Sequence, residues 1–251
     1  MDNRAHSPIT PTDSGKPDSG KPDAEVFEEA DALDLHEQRP TGPEDGFGKL
    51  WRKIHRVRLI GADLPPEHVI ATWKRHFGEF WPGQNRFYGP ITAFQSGELA
   101  VINIEMPAAT TLSTGVILVD ATPTGFTLIT PEGHMLSGWL HFSADRDDAI
   151  TTASVEMLIR ASDPLFEIGM VLGGHHRENE FWDQTLRNLA LHFGIAAEPE
   201  TKVTCEDPHY QWENAKNIWH NGAIRNGLVR LAALPRRASA LLHRRRAERT
   251  S

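Results

Sequence analysis

Two histidines beside one predicted strand are the residues of this chain best suited to catalysis. His134 directly precedes the segment Met135–Ala144, and His141 lies within it. An imidazole titrates near neutral pH, so either side chain can act as a general acid or base. Side chains of a strand alternate between its faces, so the two histidines lie on opposite faces and one can point inward. They are the candidate catalytic residues, although a lone polar group in an apolar lining more often orients a ligand or bonds a neighbour.

A second group of histidines lies in a predicted helix. His175 and His176 are adjacent, and their side chains diverge by about 100° around a helix, so they cannot comfortably hold one metal ion. His176 and Glu180 share a face, but a zinc site needs a third ligand and no HExxH pattern is present. A solvated polar helix surface is the favoured interpretation. We therefore expect no metal and no cofactor.

Other catalytic chemistries find little support. The sequence contains no GxSxG, no GxGxxG after a strand and no GxxxxGK[ST]. Cys205 is the single cysteine, which excludes an internal disulfide and a cysteine-cluster zinc site. The carboxylates of Glu206 and Asp207 follow it and disfavour the thiolate, which is the nucleophilic form. A serine hydrolase, a dinucleotide enzyme, a phosphotransferase and a cysteine nucleophile are all disfavoured.

The composition of the chain indicates which parts can fold and hold catalytic side chains in place, and which parts cannot. It has 251 residues, 39% hydrophobic and 24% charged, with a net charge of −8. Residues 1–46 hold four Lys or Arg against twelve Asp or Glu, whereas residues 225–251 hold eight Arg against one Glu. The first segment contains the tandem DSGKPDSGKPD and cannot bury enough apolar surface to fold alone. We predict a disordered acidic tail at 1–46 and a basic mobile tail at 225–251.

The basic tail suggests a partner. Its arginines alternate with leucines such as Leu231 and Leu241, and Pro235 divides it, as in a broken amphipathic helix. Such a segment can contact an anionic membrane surface. A nucleic acid partner is unlikely, because no aromatic residues are interleaved for base stacking. The alternatives are a solvated tail or one that folds back onto the acidic head. The sequence has no run of 18 apolar residues that could span a membrane and no visible secretion signal, so we expect a cytoplasmic protein, with peripheral membrane association as an option.

Between the tails, the pattern predicts a strand, short helices and a run of strands. Lys53–Gly61 alternates as a strand, and the double proline of Leu64–Trp81 begins a short amphipathic helix or helix pair. Short turn signals separate the next strands, so neighbours should pair antiparallel. These five strands are predicted at Glu98–Met106, Thr114–Pro123, Gly125–Thr130, Met135–Ala144 and Ile150–Ala161.

A long helix is predicted after the strands. Asp163 and Pro164 supply an N-cap and a first-turn proline, and an apolar stripe continues to Gly194. The pair Gly173-Gly174 interrupts this helix, either as a kink near a ligand or for close packing on the sheet. A further helix at His209–Gly227 carries Trp212 and Trp219, which should dock it on the body or form a ligand lid. The predicted parts are thus a domain at 47–195 and a docked helical extension at 196–224.

This order of elements resembles the helix-grip fold. The stretch TPEGHMLSGWLHFSADRDDAITTASVEMLIRASDPLFEIG (Thr130 to Gly169) is similar to START-like proteins, polyketide cyclases and Bet v 1-type proteins, in an uncharacterised bacterial branch. The resemblance covers about residues 50–195 and matches no catalytic signature. It implies an α+β fold in which a curved antiparallel sheet wraps around a long C-terminal helix. It also implies an apolar cavity between the two, holding a lipid, sterol, polyketide or similar ligand.

Strand parity and helical spacing select the residues that would line such a cavity. They are Val57, Leu59, Ile102, Ile104, Leu118, Leu128, Ala153, Val155, Met157, Ile159, Leu172, Gly173 and Trp182. Our first hypothesis is non-catalytic binding of a hydrophobic small molecule or lipid there. The alternatives are a cyclase- or hydrolase-type enzyme that uses the same cavity, and an interaction module that acts through its charged tails. An interior that is filled by side chains would favour the interaction module.

Overall fold

The structure is a computed structural model that describes residues 39–106 and 110–224. The predicted disorder of residues 1–38 and the predicted mobility of 225–251 lie outside the described residues. No helix in the described ranges is long and apolar enough to cross a membrane.

A curved, open antiparallel sheet forms the body of the protein. Its strands are β1 (Pro40–Thr41), β2 (Leu50–Leu59), β3 (Arg86–Phe87), β4 (Leu99–Met106), β5 (Thr110–Thr122), β6 (Gly125–Pro131), β7 (Leu136–Asp147), β8 (Ile150–Ala161) and β9 (Glu200–Asp207). The order of strands in the sheet is β3-β4-β5-β6-β7-β8-β2-β9, and the short β1 pairs with the end of β6.

The strand predictions agree closely with these bounds. Ile150–Ala161 is a strand over the predicted residues, because its apolar alternation and its flanking turns coincide. β4 to β8 form a meander, whereas β2 crosses to pair with β8 in an antiparallel register that places Lys53 opposite Met157. The first predicted strand therefore lies beside the last strand of the meander.

Two helical regions cover the concave face. The double proline begins α1 (Pro66–Arg75), and a 3-10 turn at Phe77–Phe80 follows it, which confirms the predicted helix pair. The predicted long helix is α2 (Pro164–Gly169) and α3 (His175–His192), joined by the segment Met170–Gly174. Asp163 caps α2 as predicted, since its Oδ1 accepts hydrogen bonds from the amides of Leu165 and Phe166 at 2.8 and 3.0 Å.

The joint between α2 and α3 is a kink at the predicted glycines. Leu172 has ψ near 18° and Gly173 has φ 120°, outside the helical range. Glycine adopts this conformation without the steric cost that a Cβ brings. Gly174 is constrained by packing instead, because a Cβ there would lie 2.9 Å from both the carbonyl oxygen of Gly169 and the sulfur of Met170. The kink itself is therefore present, and a ligand beside it stays a prediction; the close contact at Gly174 is with the preceding helical turn and not with the sheet.

The structure differs from the predicted boundaries at both ends. Residues 40–46 belong to the folded body, because Thr41 pairs with Thr130 and buries its hydroxyl against it. Glu200–Asp207 is a strand, β9, that pairs with β2 on the side away from β8. The sequence offered little sign of β9, since an edge strand exposed on both faces needs few apolar residues.

The C-terminal extension docks through asparagines. Trp212–His220 is a 3-10 helix, in which residues three apart share a face. Asn217 donates to the carbonyl oxygens of Asp45 and Ser162, and Asn214 donates to that of Gly46. The prediction that two tryptophans dock this segment is wrong for Trp219, which is 83% exposed, whereas Trp212 is 73% exposed but contacts the buried Phe47 edge-on at 5.3 Å between ring centroids.

Taken together, the described residues have a helix-grip α+β fold. An antiparallel meander, a crossing N-terminal strand and a long C-terminal helix define it. α3 packs chiefly over β2, whereas α1 packs over β7 and β8. The space for a ligand must therefore be sought between these helices and the inner face of β2, β8 and β7.

Candidate functional site

Most of the predicted lining residues lie on the inner face of the sheet. All of them are in the hydrophobic core or packed against it, with the exception of Leu172 and Gly173. Leu172 is 81% exposed, because the kink turns it away from the sheet. Gly173 lies at the same kink, with open space where a side chain would be. That the remaining residues contact a ligand stays a prediction.

Aromatic side chains occupy the part of the interior below α1. The rings of Phe126 and Phe142 stack at 4.5 Å between centroids. Phe77 and Trp73 contact Phe142 edge-on at 5.1 and 5.4 Å, and Trp182 of α3 does so at 5.5 Å. Such edge-to-face packing is a favourable aromatic geometry. This half of the interior is a packed core, so a ligand site must lie elsewhere along the sheet.

A buried polar cluster lies below α3, on the inner face of β2. Lys53 is fully buried and has its ammonium 2.6 Å from Glu178 Oε2 and 3.0 Å from Asn179 Oδ1. Lys53 and His55 have the same strand parity as Val57 and Leu59, so they point inward with them. The predicted solvated segment of α3 is thus the part that covers these side chains.

The second member of the cluster is an imidazole–carboxylate pair. His55 Nδ1 lies 2.8 Å from Asp183 Oδ1, and Thr201 of β9 donates to the same Asp183 oxygen at 2.6 Å. A carboxylate that accepts from Nδ1–H leaves Nε2 as the lone-pair nitrogen of the ring. Burial is the largest influence on His55 and lowers its pKa, against the opposing effect of Asp183. His55 is therefore neutral near pH 7.

Several polar atoms of the cluster have no hydrogen-bond partner in the described part of the chain. They are Trp51 Nε1, His55 Nε2, His175 Nδ1 and Glu178 Oε1. The rings of Trp51 and His175 meet edge-on at 5.0 Å. Burial, with a smaller contribution from the Lys53 charge, lowers the pKa of His175 to about 4. Buried polar groups are usually paired, so such a group of unpaired atoms points to a binding role.

Apolar side chains lie directly beside this cluster. In the register of β2 and β8, Trp51 is opposite Ile159, Lys53 opposite Met157 and His55 opposite Val155. All three partners are buried predicted lining residues. The arrangement combines an apolar wall with hydrogen-bond donors and acceptors at its edge. No group of three or more His, Cys, Asp or Glu suited to a metal ion occurs within residues 39–106 and 110–224.

The two candidate catalytic histidines lie apart from the cluster. His134 is buried in the turn before β7, where its Nδ1 lies 3.0 Å from the amide nitrogen of Leu136, and burial lowers its pKa to about 4. His141 lies on the outer face of β7, where its Nδ1 is 2.9 Å from the hydroxyl oxygen of Thr127. Neither makes a contact with the side chains around Lys53, and a catalytic role for either stays untested.

A groove of about 670 Å³ crosses the outer face of the sheet. Arg56, Arg58, Glu156 and Asp145 line it together with residues 195–198 after α3. Charged side chains of both signs make it unsuitable for the apolar ligand that the fold suggests.

The known proteins that this chain resembles are distant from it in sequence. No protein-family model matches the sequence, and no curated protein matches it significantly. A conserved protein from Geobacillus kaustophilus superimposes with a TM-score of 0.44 at 8% identity, over 59% of this chain and 99% of the other. A major latex-like protein from Panax ginseng gives 0.37 at 12% identity, over 58% and 98%.

A two-domain aromatase/cyclase of the steffimycin pathway, StfQ, is also similar. Its TM-score is 0.44 at 9% identity, over 61% of this chain and 54% of that one. The three neighbours share between 8% and 12% identity with this chain. At such low identity, no functional residue of these proteins can be assigned to a position in this chain.

Proposed function

We propose that this protein binds an apolar small molecule or lipid that carries one polar group. The apolar part would lie along Met157 and Ile159 on the inner face of the sheet, below α3. The polar group would meet the cluster on β2. The observation that carries the proposal is the set of buried, unpaired polar atoms beside an apolar wall.

The unpaired atoms favour a hydroxyl as the polar group. The indole nitrogen of Trp51 is a donor only, whereas His55 Nε2 accepts when its Nδ1 donates to Asp183. A hydroxyl can donate and accept, so it can satisfy either group. A charged headgroup is disfavoured, because an additional charge buried beside Lys53 and Glu178 would lose its hydration.

The first experiment is native mass spectrometry of the full chain, incubated with the long-chain alcohol 1-hexadecanol and, separately, with the alkane hexadecane. A stoichiometric adduct is expected, and it should be stronger for the alcohol. Bare protein in both cases, together with no displacement of a bound apolar fluorophore, would contradict the proposal.

A substitution sharpens this test. Trp51→Phe keeps an aromatic ring and removes the donor, so affinity for 1-hexadecanol should fall by the net value of one hydrogen bond, about 0.5–1.5 kcal/mol. Affinity for hexadecane should not change. Trp81→Phe is the matched control, because the Trp81 indole nitrogen is also buried and unpaired but lies among Phe77, Phe87 and Phe181.

An enzyme of the cyclase or hydrolase type is the second candidate, and the His55–Asp183 pair favours it. A neutral imidazole held by a carboxylate through Nδ1 presents Nε2 as a general base. With a bound ligand, His55→Gln should abolish turnover of that ligand but leave its binding within severalfold. Equal turnover in the variant would eliminate this candidate and leave the binding proposal intact.

A further inference from the structure

The last strand of the sheet has one edge without a neighbour in the described part of the chain. β9 lies at the end of the strand order and pairs with β2 alone. All of its residues from Glu200 to Glu206 are exposed, and Val203 is 42% exposed. β3, at the opposite end of the sheet, has two residues, whereas β9 has eight. A long open edge presents a row of backbone donors and acceptors with which another strand can pair.

This open edge is regular over most of its length. The pairing of β9 with β2 runs without interruption from Glu200 to Cys205, and the register shifts only beyond Cys205. Glu206 is the extra residue of this bulge, and its carboxylate accepts from Arg52 Nε at 2.9 Å. A bulge can protect an edge against pairing, but this one lies at the end of the strand. The preceding residues can therefore accept a second strand.

The two faces of β9 present different side chains. Val203 and Cys205 have the same parity as Thr201, whose hydroxyl donates to Asp183 of α3, so they lie on the inner face. Lys202 lies on the outer face and forms no ion pair within the described residues. A partner strand would therefore meet an apolar side chain on one face and a free ammonium on the other.

The sequence of β9 is complementary to itself in one antiparallel register. Opposite residues of an antiparallel pair either both exchange hydrogen bonds or both do not, so two identical strands pair in registers centred on a residue. Two such registers overlap most of β9, one centred on Val203 and one on Thr204. The first places Glu200 opposite Glu206 of the second copy, where like charges repel. The second places Lys202 opposite that Glu206, where opposite charges attract.

We propose that two copies of this chain associate through the open edge of β9, in the antiparallel register centred on Thr204. The two sheets then form one continuous sheet across a two-fold axis. On the inner face, Val203 of each copy contacts Cys205 of the other and loses its exposure. On the outer face, Lys202 of each copy pairs with Glu206 of the other. A contact limited to one strand from each copy is smaller than a standard interface of about 1,600 Å², so the dimer is reversible.

Disulfide formation in the full chain tests the register. In a Cys205→Ser background, Thr204→Cys places the two new thiols opposite each other, with Cα atoms about 4.5–5.5 Å apart. That separation permits a disulfide, so mild oxidation should give a cross-linked dimer. Glu200→Cys in the same background is the matched control, because it is exposed on the same face but lies roughly 27 Å from its counterpart. It should cross-link at least about tenfold more slowly, since only random collisions join its thiols.

Sedimentation velocity of the full chain under reducing conditions measures the association itself. The fraction of dimer should rise with protein concentration. Lys202→Glu places two carboxylates opposite each other at both ends of the contact, so the dissociation constant should rise at least about fivefold. Lys216→Glu is the matched control, because it makes the same change of charge at an exposed residue outside β9. It should leave the dissociation constant unchanged.

Two outcomes would overturn the proposal. A chain that stays monomeric at every concentration would show that β9 does not pair with a second copy. Slow hydrogen exchange of the outward amides of β9 in that monomer would then assign the open edge to another segment of the same chain. A dimer in which Thr204→Cys and Glu200→Cys cross-link equally fast would place the interface elsewhere. The proposed ligand enters neither measurement, so the two proposals fail independently.

Discussion

Lys53 is a fully buried cation in the centre of a sheet strand, and its partners hold α3 in place. An ammonium without hydration is tolerated only if it is paired and hydrogen-bonded. Glu178 and Asn179 meet that need at 2.6 and 3.0 Å. The pair therefore fixes the position of α3 on β2 more than it adds net stability.

Lys53→Met should destabilise the protein by about 3–5 kcal/mol, because the Glu178 carboxylate would remain buried without its cation. The double variant Lys53→Met, Glu178→Leu should regain most of that loss. Chemical denaturation measures both. The exposed Arg187–Glu198 pair is the control, and Arg187→Met should cost less than about 1 kcal/mol. Equal losses at the two sites would refute this account of the cluster.

His134 should make stability depend on pH. Its pKa is about 4 in the folded protein because of burial, and near 6.5 in the unfolded chain. Between these values the unfolded chain binds more protons, so the free energy of unfolding falls as the pH drops from about 6.5 to about 4. The slope from this group reaches about 1.4 kcal/mol per pH unit.

His134→Asn retains a donor and an acceptor near Leu136 and cannot titrate. Between about pH 4 and 6.5, the free energy of unfolding of this variant should therefore depend on pH less steeply, by the contribution of one group. His55 and His175 also have lowered pKa values and should keep the remaining dependence. A variant that unfolds with the wild-type pH dependence would show that His134 contributes none of it.

Some polar residues of the candidate site could have been predicted from the sequence, although only its apolar residues were. Parity places Lys53 and His55 on the same side as Val57, and that signal was available. Their partners, Asp183 and Glu178, could not be found in the same way. A helix rich in polar residues looks solvated unless one knows which strand lies beneath it.

The kink between α2 and α3 gives glycine opposite roles at two nearby positions. Gly173 has φ 120°, where a side chain is strained, whereas Gly169 has helical angles and open space around a Cβ. Gly173→Ala should therefore destabilise by about 1–2 kcal/mol, and Gly169→Ala should stabilise by up to about 1 kcal/mol. Thermal unfolding of both variants measures the difference. Stabilisation by both changes would indicate that the kink is absent in solution.

Local signals predicted most elements, and exposure explains the one that was missed. The double proline, the Asp163-Pro164 start and the alternation of Ile150–Ala161 each mark an element that the structure contains. The sequence of β9 is mostly polar, although Thr201, Val203 and Cys205 alternate with Lys202, Thr204 and Glu206. Its pairing with β2 depends on a distant strand, which local pattern cannot show.

Hydrogen bonds of Asn217 connect the C-terminal 3-10 helix to the N-terminal part of the described chain. Asn217 reaches the loop at Asp45 and the chain at Ser162, so one amide joins three distant parts of the sequence. Asn217→Ala should leave both carbonyl oxygens without this donor and cost about 1–3 kcal/mol. Hydrogen exchange should then accelerate in 212–224 and in 42–46 together.

Lys216→Ala is the matched control, because Lys216 is an exposed residue of the same 3-10 helix. It should change neither segment. If Asn217→Ala accelerates exchange in 212–224 alone, the two ends are not coupled through this side chain.

The position of β2 between β8 and β9 has a consequence for synthesis of the protein. The meander β4 to β8 pairs sequential neighbours and can form as the chain emerges from the ribosome. Arg52, in contrast, meets Glu156 after a separation of 104 residues and Glu206 after 154. Translation adds about 5–20 residues per second, so several seconds pass between the synthesis of β2 and that of β8, and a longer time passes before β9 is made. During that interval Lys53 and His55 remain in water, and the polar side chains that the finished fold buries keep the nascent strand soluble.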